Sequence, residues 1–152
     1  FVPIEDIDDI LIEINSNAYI DVGYISFEDQ KIEMYKKISL INDEDDALDV
    51  QDELMDRFGM MPQEVLTLIN VALIKAYAQK NGFSFVQEKK DSFVLKYRKH
   101  HKIDMDKLGK TIGEVDGKVL FSAGSEPYII YKCKDNKEEK RLIEVLNLLK
   151  KL

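Results

Sequence analysis

Apolar positions in the segment IDDILIEIN recur at every second residue: Ile10, Ile12 and Ile14, with Leu11 and Glu13 between them. That period predicts a strand with one buried face. SNAYIDVGYI follows as loop or irregular extended chain. Ser26, with Asp29 three positions on, has the spacing of a capping box and predicts a helix through FEDQKIEMYKKISLI, its inner face formed by Ile32, Tyr35 and Ile38. A second helix is predicted from Asp43 to Phe58. Turned through 100° per residue, it sets Ala47, Val50, Leu54, Met55 and Phe58 on one side. Asp45, Asp49, Asp52 and Asp56 line the other, with Glu53 beside them.

Gly59 stands where a left-handed residue closes a helix, and Pro62 where a proline can open the next. PQEVLTLINVALIKAYAQKNG is apolar almost all round, which predicts a central buried helix ended by Gly82. Its richest face holds Val65, Leu68, Ile69, Ala72, Leu73 and Ala76, with Ile74 and Ala78 elsewhere. Beyond Gly82, FSFVQE and SFVLKYR read as strands separated by the turn-like KKD, and IDMDKLGKTIG as a short helix. KVLFSAG and PYIIYKC are two more strands with Gly124 and Pro127 between them. DNKEEKRLIEVLNLLKKL closes the chain as a helix, with Asp135 and Glu138 in capping-box spacing and Leu142, Val145, Leu146 and Leu149 on one face. The order lacks the regular βα alternation of a doubly wound sheet. The expected fold class is α+β: one domain over residues 1–152, helices plus a small, mostly antiparallel sheet, with residues 1–10 as an N-terminal linker or extended segment.

Composition narrows the class. A chain of 152 residues that is 45% hydrophobic can bury a real core. No apolar run approaches the ~20 residues that span a bilayer, and Cys133 is the single cysteine, so no internal disulfide forms. A soluble, cytoplasmic protein is expected, without a membrane partner. The chain opens on Phe1 rather than methionine, which suggests a piece of a larger protein.

Charge changes the picture more. The net value of −7 hides an uneven spread: residues 1–58 carry 17 acids against 4 bases, whereas residues 59–152 carry 12 against 18. A one-signed half selects partners of the opposite sign, and the acidic half disfavours nucleic acid. Asp43 to Asp46 sit at the positive end of their predicted helix. Asp52, Glu53 and Asp56 lie near its negative end, where the dipole opposes each by a few tenths to ~1 kcal/mol. Local helix stability does not account for them.

Candidate chemistry is sparse. The sequence contains no phosphate loop, G-x-G-x-x-G, H-E-x-x-H or G-x-S-x-G, so no cofactor is expected. His100 and His101 are adjacent and point to opposite sides of an extended segment, which disfavours joint metal ligation and predicts a solvated strand end. Cys133 has no catalytic setting. Asp49, Asp52, Glu53 and Asp56 could hold a divalent ion as a metal-dependent nuclease or hydrolase does, though on an outer helix face nothing excludes water. The bases of EKKDSFVLKYRKHHK, interleaved with Phe93 and Tyr97, invite a nucleic-acid reading, but acids among them dilute it.

DELMDRFGMMPQEV, taken with the preceding YISFEDQKIEMYKKI and the following LTLINVALIKAYAQKNG, resembles the C-terminal domain of the bacterial transcription-repair coupling factor, Mfd. The pattern is Y-I, a helix with Y-K-K-I, an acidic helix ending in D-R-F-G-x-x-P, then a long apolar helix. The similarity is clear from Ile12 to Gly82 and thereafter is only an order of elements; Lys31 stands where relatives often have arginine. The resemblance implies a non-catalytic regulatory domain of a DNA translocase that displaces stalled RNA polymerase and recruits excision repair. This domain would pack on the parent's UvrB-like module and mask its UvrA-binding surface. Glu53, Asp56 and the neighbouring Arg57 match that contact, and Asp52 and Asp49 extend the same face.

Overall fold

A computed structural model describes residues 9–152. Its elements follow the expected order, five helices and a five-stranded, mostly antiparallel sheet in an α+β layout. Of the expected extended segment over residues 1–10, residues 1–8 lie outside the described residues. The described residues divide into two compact units, Ser16–Ala76 and residues 9–15 with Tyr77–Leu152.

The first unit is helical. α1 (Glu28–Ser39) buries Met34 and Ile38. The expected inner residue Ile32 is instead 45% exposed, because the stripe that faces inward runs through Met34, two residues and 200° away. Nor does a capping box form: Phe27 is the N-cap residue and makes no side-chain cap bond. α2 (Glu44–Phe58) starts as expected, with the Asp43 carboxylate accepting from the Asp46 amide at 2.9 Å. Ala47, Val50 and Leu54 are its buried residues. It ends at Gly59, whose φ of +87° is a conformation only glycine adopts freely. α3 (Gln63–Lys80) takes its first turn from the Pro62 carbonyl, which accepts from the Val65 and Leu66 amides. Val65, Ile69 and Leu73 are buried, and so are Ile74 and Ala78 on other sides, as an all-round apolar helix requires.

The second unit is built on the sheet, in the order β1 (Leu11–Glu13), β2 (Phe83–Glu88), β3 (Ser92–Tyr97), β5 (Tyr128–Lys132), β4 (Lys118–Ser122). β1 joins β2 in parallel; the other pairings are antiparallel. One face carries buried Val86, Glu88, Phe93, Leu95, Ile129 and Tyr131. α5 (Glu138–Lys151) lies on it, placing Arg141 3.1 Å from Glu88 and over the Phe93 ring. The buried Glu144 accepts from the Tyr131 hydroxyl at 2.8 Å and from the Lys134 and Asp135 amides at 2.9 and 2.7 Å, pinning the β5–α5 corner. Asp135 does not form the expected capping box; its carboxylate accepts from the Lys137 amide two residues on. α4 (Met105–Ile112) is tied to the end of α5 by Thr111, which donates to the Lys151 carbonyl.

Candidate functional site

The candidate residues sit on α2, and what holds that helix is local to the helical unit. The aromatic ring of Tyr24 meets Phe58, and its hydroxyl donates to the Gly59 carbonyl at 2.9 Å and lies 3.3 Å from that of Leu54. It thus satisfies the C-cap carbonyl of Gly59, one of those a helix end leaves without partners. Ile25, beside it, is fully buried. The D-R-F-G segment therefore has a structural task, closing α2 against the Tyr24–Ile25 loop.

Along the flank facing α1 runs an ionic brace. Both Glu53 carboxylate oxygens lie 2.8 Å from Lys37 Nζ, and Oε2 accepts from Arg57 Nη1 at 2.6 Å. Arg57 also reaches Glu33 at 3.2 Å, and Lys37 reaches Glu33 at 3.3 Å, which closes a four-membered ring of alternating charge. The Lys37 and Arg57 hydrogen bonds hold the Glu53 carboxyl below its ordinary range. Arg57 and then Lys37 do the same for Glu33, while Glu53 and Glu33 raise Lys37 and Arg57. The Arg57 guanidinium also stacks 4.9 Å from the Phe58 ring.

Glu53 stands beside the outward acidic row, as expected, and pairs across to α1: Lys37 and Arg57 supply the opposite charge that the dipole argument left missing. Asp49, Asp52 and Asp56 are a different group: all three are exposed and none has an ion pair or hydrogen bond among the described residues. Met55 joins them, 46% exposed rather than buried as its helical phase predicted, and so does Leu48 at 54%. Leu48, Asp52 and Met55 follow i, i+4, i+7 spacing, so an apolar pair brackets the middle aspartate on one stripe. Sequence reasoning missed Leu48, Tyr24, Glu33 and Lys37. The last two were traceable, since Glu33–Lys37 and Glu53–Arg57 are both i, i+4 pairs in the favourable orientation.

The remaining candidates lie elsewhere. Among the described residues, no three His, Cys, Asp or Glu side chains gather closely enough to hold a metal ion, and the nuclease alternative has no geometric support. His100 is exposed at φ +63°, but His101 is no solvated strand end. It stacks on Tyr97 at 5.6 Å and fills the space where a β-carbon at Gly82 would fall, and burial lowers its pKa. Cys133 is buried, its thiol pushed up to about 11 mainly by desolvation. No helix among the described residues is long and apolar enough to cross a membrane.

The class that fold and site define is an α+β domain presenting a braced acidic helix. The chain belongs to the TRCF domain family, whose model matches residues 14–108. It is 32% identical over 121 residues to the transcription-repair-coupling factor of Staphylococcus aureus (strain USA300), covering 80% of this chain and 10% of that protein. The transcription-repair-coupling factor of Staphylococcus epidermidis is 39% identical over 90 residues, covering 59% of this chain and 8% of the relative. The chain thus spans about a tenth of the length of these relatives. A crystal structure of the C-terminal domain of transcription-repair coupling factor superposes with a TM-score of 0.86 at 24% identity, covering 94% of this chain and 91% of that one, and so shares the fold.

Proposed function

We propose that this chain is a regulatory interaction domain of a larger bacterial, cytoplasmic transcription-repair coupling translocase. In this reading the ATP-dependent motor lies elsewhere in the parent protein, which acts on stalled RNA polymerase. The domain packs on the parent's UvrB-like module and masks the surface that UvrA binds. Family membership supports the setting, and one observation carries the site: Asp49, Asp52 and Asp56 are exposed and have no ion pair or hydrogen bond among the described residues, whereas Glu53 on the neighbouring flank is already paired. Carboxylates near a helix C-terminus are disfavoured alone and become favourable once a basic surface faces them. Glu53 and Arg57 then act at one remove, fixing the direction in which the aspartates project.

The test is UvrA affinity of the full-length parent carrying Asp52→Lys and Asp56→Lys beside wild type. Reversing the charges opposes the closed state, and UvrA binding should strengthen by up to about a hundredfold. Circular dichroism of the same variant of this chain controls for folding. Unchanged UvrA affinity with the fold intact removes the acidic face from the mechanism.

A further inference from the structure

The sheet has a second face, opposite α5, that none of the foregoing uses. Register alone assigns its residues. Val94, Ile130 and Leu120 are direct cross-strand partners on β3, β5 and β4, forming an apolar row across three neighbouring strands. Two residues along the same strands come Lys96 on β3, Lys132 on β5 and Lys118 on β4, which fall on the same side because side chains alternate with period two. All three lysines are exposed, and Leu120 at the edge is 62% exposed. Glu13 is the one acid at these face positions in the described strands, and it bonds to Gln87 at 2.9 Å.

A sheet face left to water alternates polar residues against the buried side. Here the middle of the face is instead three facing aliphatic side chains with a lysine at one side or the other of each. The unit that carries this face is also basic: residues 9–15 and 77–152 hold 17 lysines and arginines against 13 acids. We propose that the outer face of β3, β5 and β4 is a docking surface for an acidic protein segment that brings its own apolar side chains. Apolar contact along the row supplies the anchor, and the lysines select the sign of what surrounds it.

A polypeptide fits this surface better than a nucleic acid strand. Single-stranded nucleic acid needs open aromatic faces for its bases, and the row is aliphatic. Of the two rings on this face, Phe85 already has the Lys96 ammonium 5.1 Å from its centroid, and Tyr128, opposite Lys96 at the end of β5, is half-buried. Spacing agrees with a helical ligand. From Val94 to Leu120 is two interstrand steps, about 10 Å, and helix positions i and i+7 are separated by about 10.5 Å of rise.

The experiment titrates the isotope-labelled 152-residue chain with a stapled helical peptide of about 18 residues, carrying leucine at i, i+4 and i+7 and glutamate on both flanks. NMR shifts should saturate and centre on Val94, Leu120 and Ile130. Leu120→Asp, and separately the triple change Lys96→Glu, Lys118→Glu and Lys132→Glu, should each weaken binding about tenfold or more. Both alter exposed positions, and circular dichroism confirms their folds. Absence of saturation up to about 1 mM peptide overturns the proposal. So does equal affinity for a peptide with lysine in place of glutamate, or tighter binding of a twelve-nucleotide thymidine strand at the same residues.

Discussion

Glu53→Gln separates the brace on α2 from the acidic face beside it. The substitution keeps shape and hydrogen-bonding reach but removes the charge that Lys37 and Arg57 surround at 2.8 and 2.6 Å. Side-chain exposures in the ring run from 29% to 43%, so solvent screens every pair, and the effect falls far short of a buried salt bridge. Two attractive contacts are nonetheless lost at once, and Lys37 and Arg57 are left with Glu33 alone to offset them. A melting temperature lower by about 2–4 °C at pH 7 is the expected result for a chain of this size. Asp52→Asn, one residue away on the open face, should move it by less than about 1 °C.

The pH dependence is the sharper signature. Glu53 and Glu33 both have folded-state pKa values below the ordinary 4.5. Groups shifted downward contribute stability that is fully present above the unfolded pKa and is lost as pH falls through the folded one. Thermal melts followed by circular dichroism should show the gap between wild type and Glu53→Gln constant from pH 8 to about pH 5.5, then closing as the carboxyls protonate. Adding 1 M salt at pH 7 should narrow it too, since screening then acts within about 3 Å. A gap that is absent at pH 7, or one that persists unchanged at pH 3, refutes the reasoning; the second result would assign the effect to packing.

Two further outcomes test the core. Leu73→Ala, at a buried position of α3, should cost about 2–5 kcal/mol by denaturant titration, and a midpoint that barely moves would mean the helix is wrongly placed. Glu144→Ala leaves the Tyr131 hydroxyl and two backbone amides without their acceptor, so a loss of about 2–4 kcal/mol is expected in the same titration, whereas Tyr131→Phe, removing one of those three bonds and the one its hydroxyl accepts from the Gly117 amide at 2.9 Å, should cost somewhat less.

Much of the fold was legible because each element announces itself locally. α2 combines an Asp43 cap, an amphipathic stripe and a glycine stop, and the structure differs from the prediction by a single residue at its start. What a single-helix projection cannot see is the neighbour. The choice between Ile32 and Met34 on α1 rests on where the chain lies around it, since both stripes are apolar enough to be buried. Glu53 stands beside Asp52 and Asp56 as its projection places it, but the projection could not show Lys37, sixteen residues earlier, whose ammonium pairs with its carboxylate. The capping boxes at Ser26 and Asp135 failed more locally, because the residues between cap and helix took conformations that spacing does not encode.

The two groups of acids on α2 would let one short helix be both a stable part of the fold and, under the proposed function, a surface for a partner. A carboxylate cannot serve both ends at full strength, because the charge that neutralises it within the chain weakens what it offers outside. The brace takes Glu53 and Glu33 for internal work, and the D-R-F-G turn is closed by Tyr24 and glycine geometry rather than by any aspartate. Asp49, Asp52 and Asp56 are thereby relieved of any duty to the fold. Their mutual repulsion, at i, i+3, i+4 and i+7 spacings, is then a standing cost that rigid placement does nothing to lessen. In the proposed docking a basic partner would remove that cost on contact, so part of the affinity would come from relief of repulsion already present in the free domain. Neutralising one aspartate should therefore raise the stability of the isolated chain slightly while weakening its docking, a pairing of opposite signs that a merely solvated face would not produce.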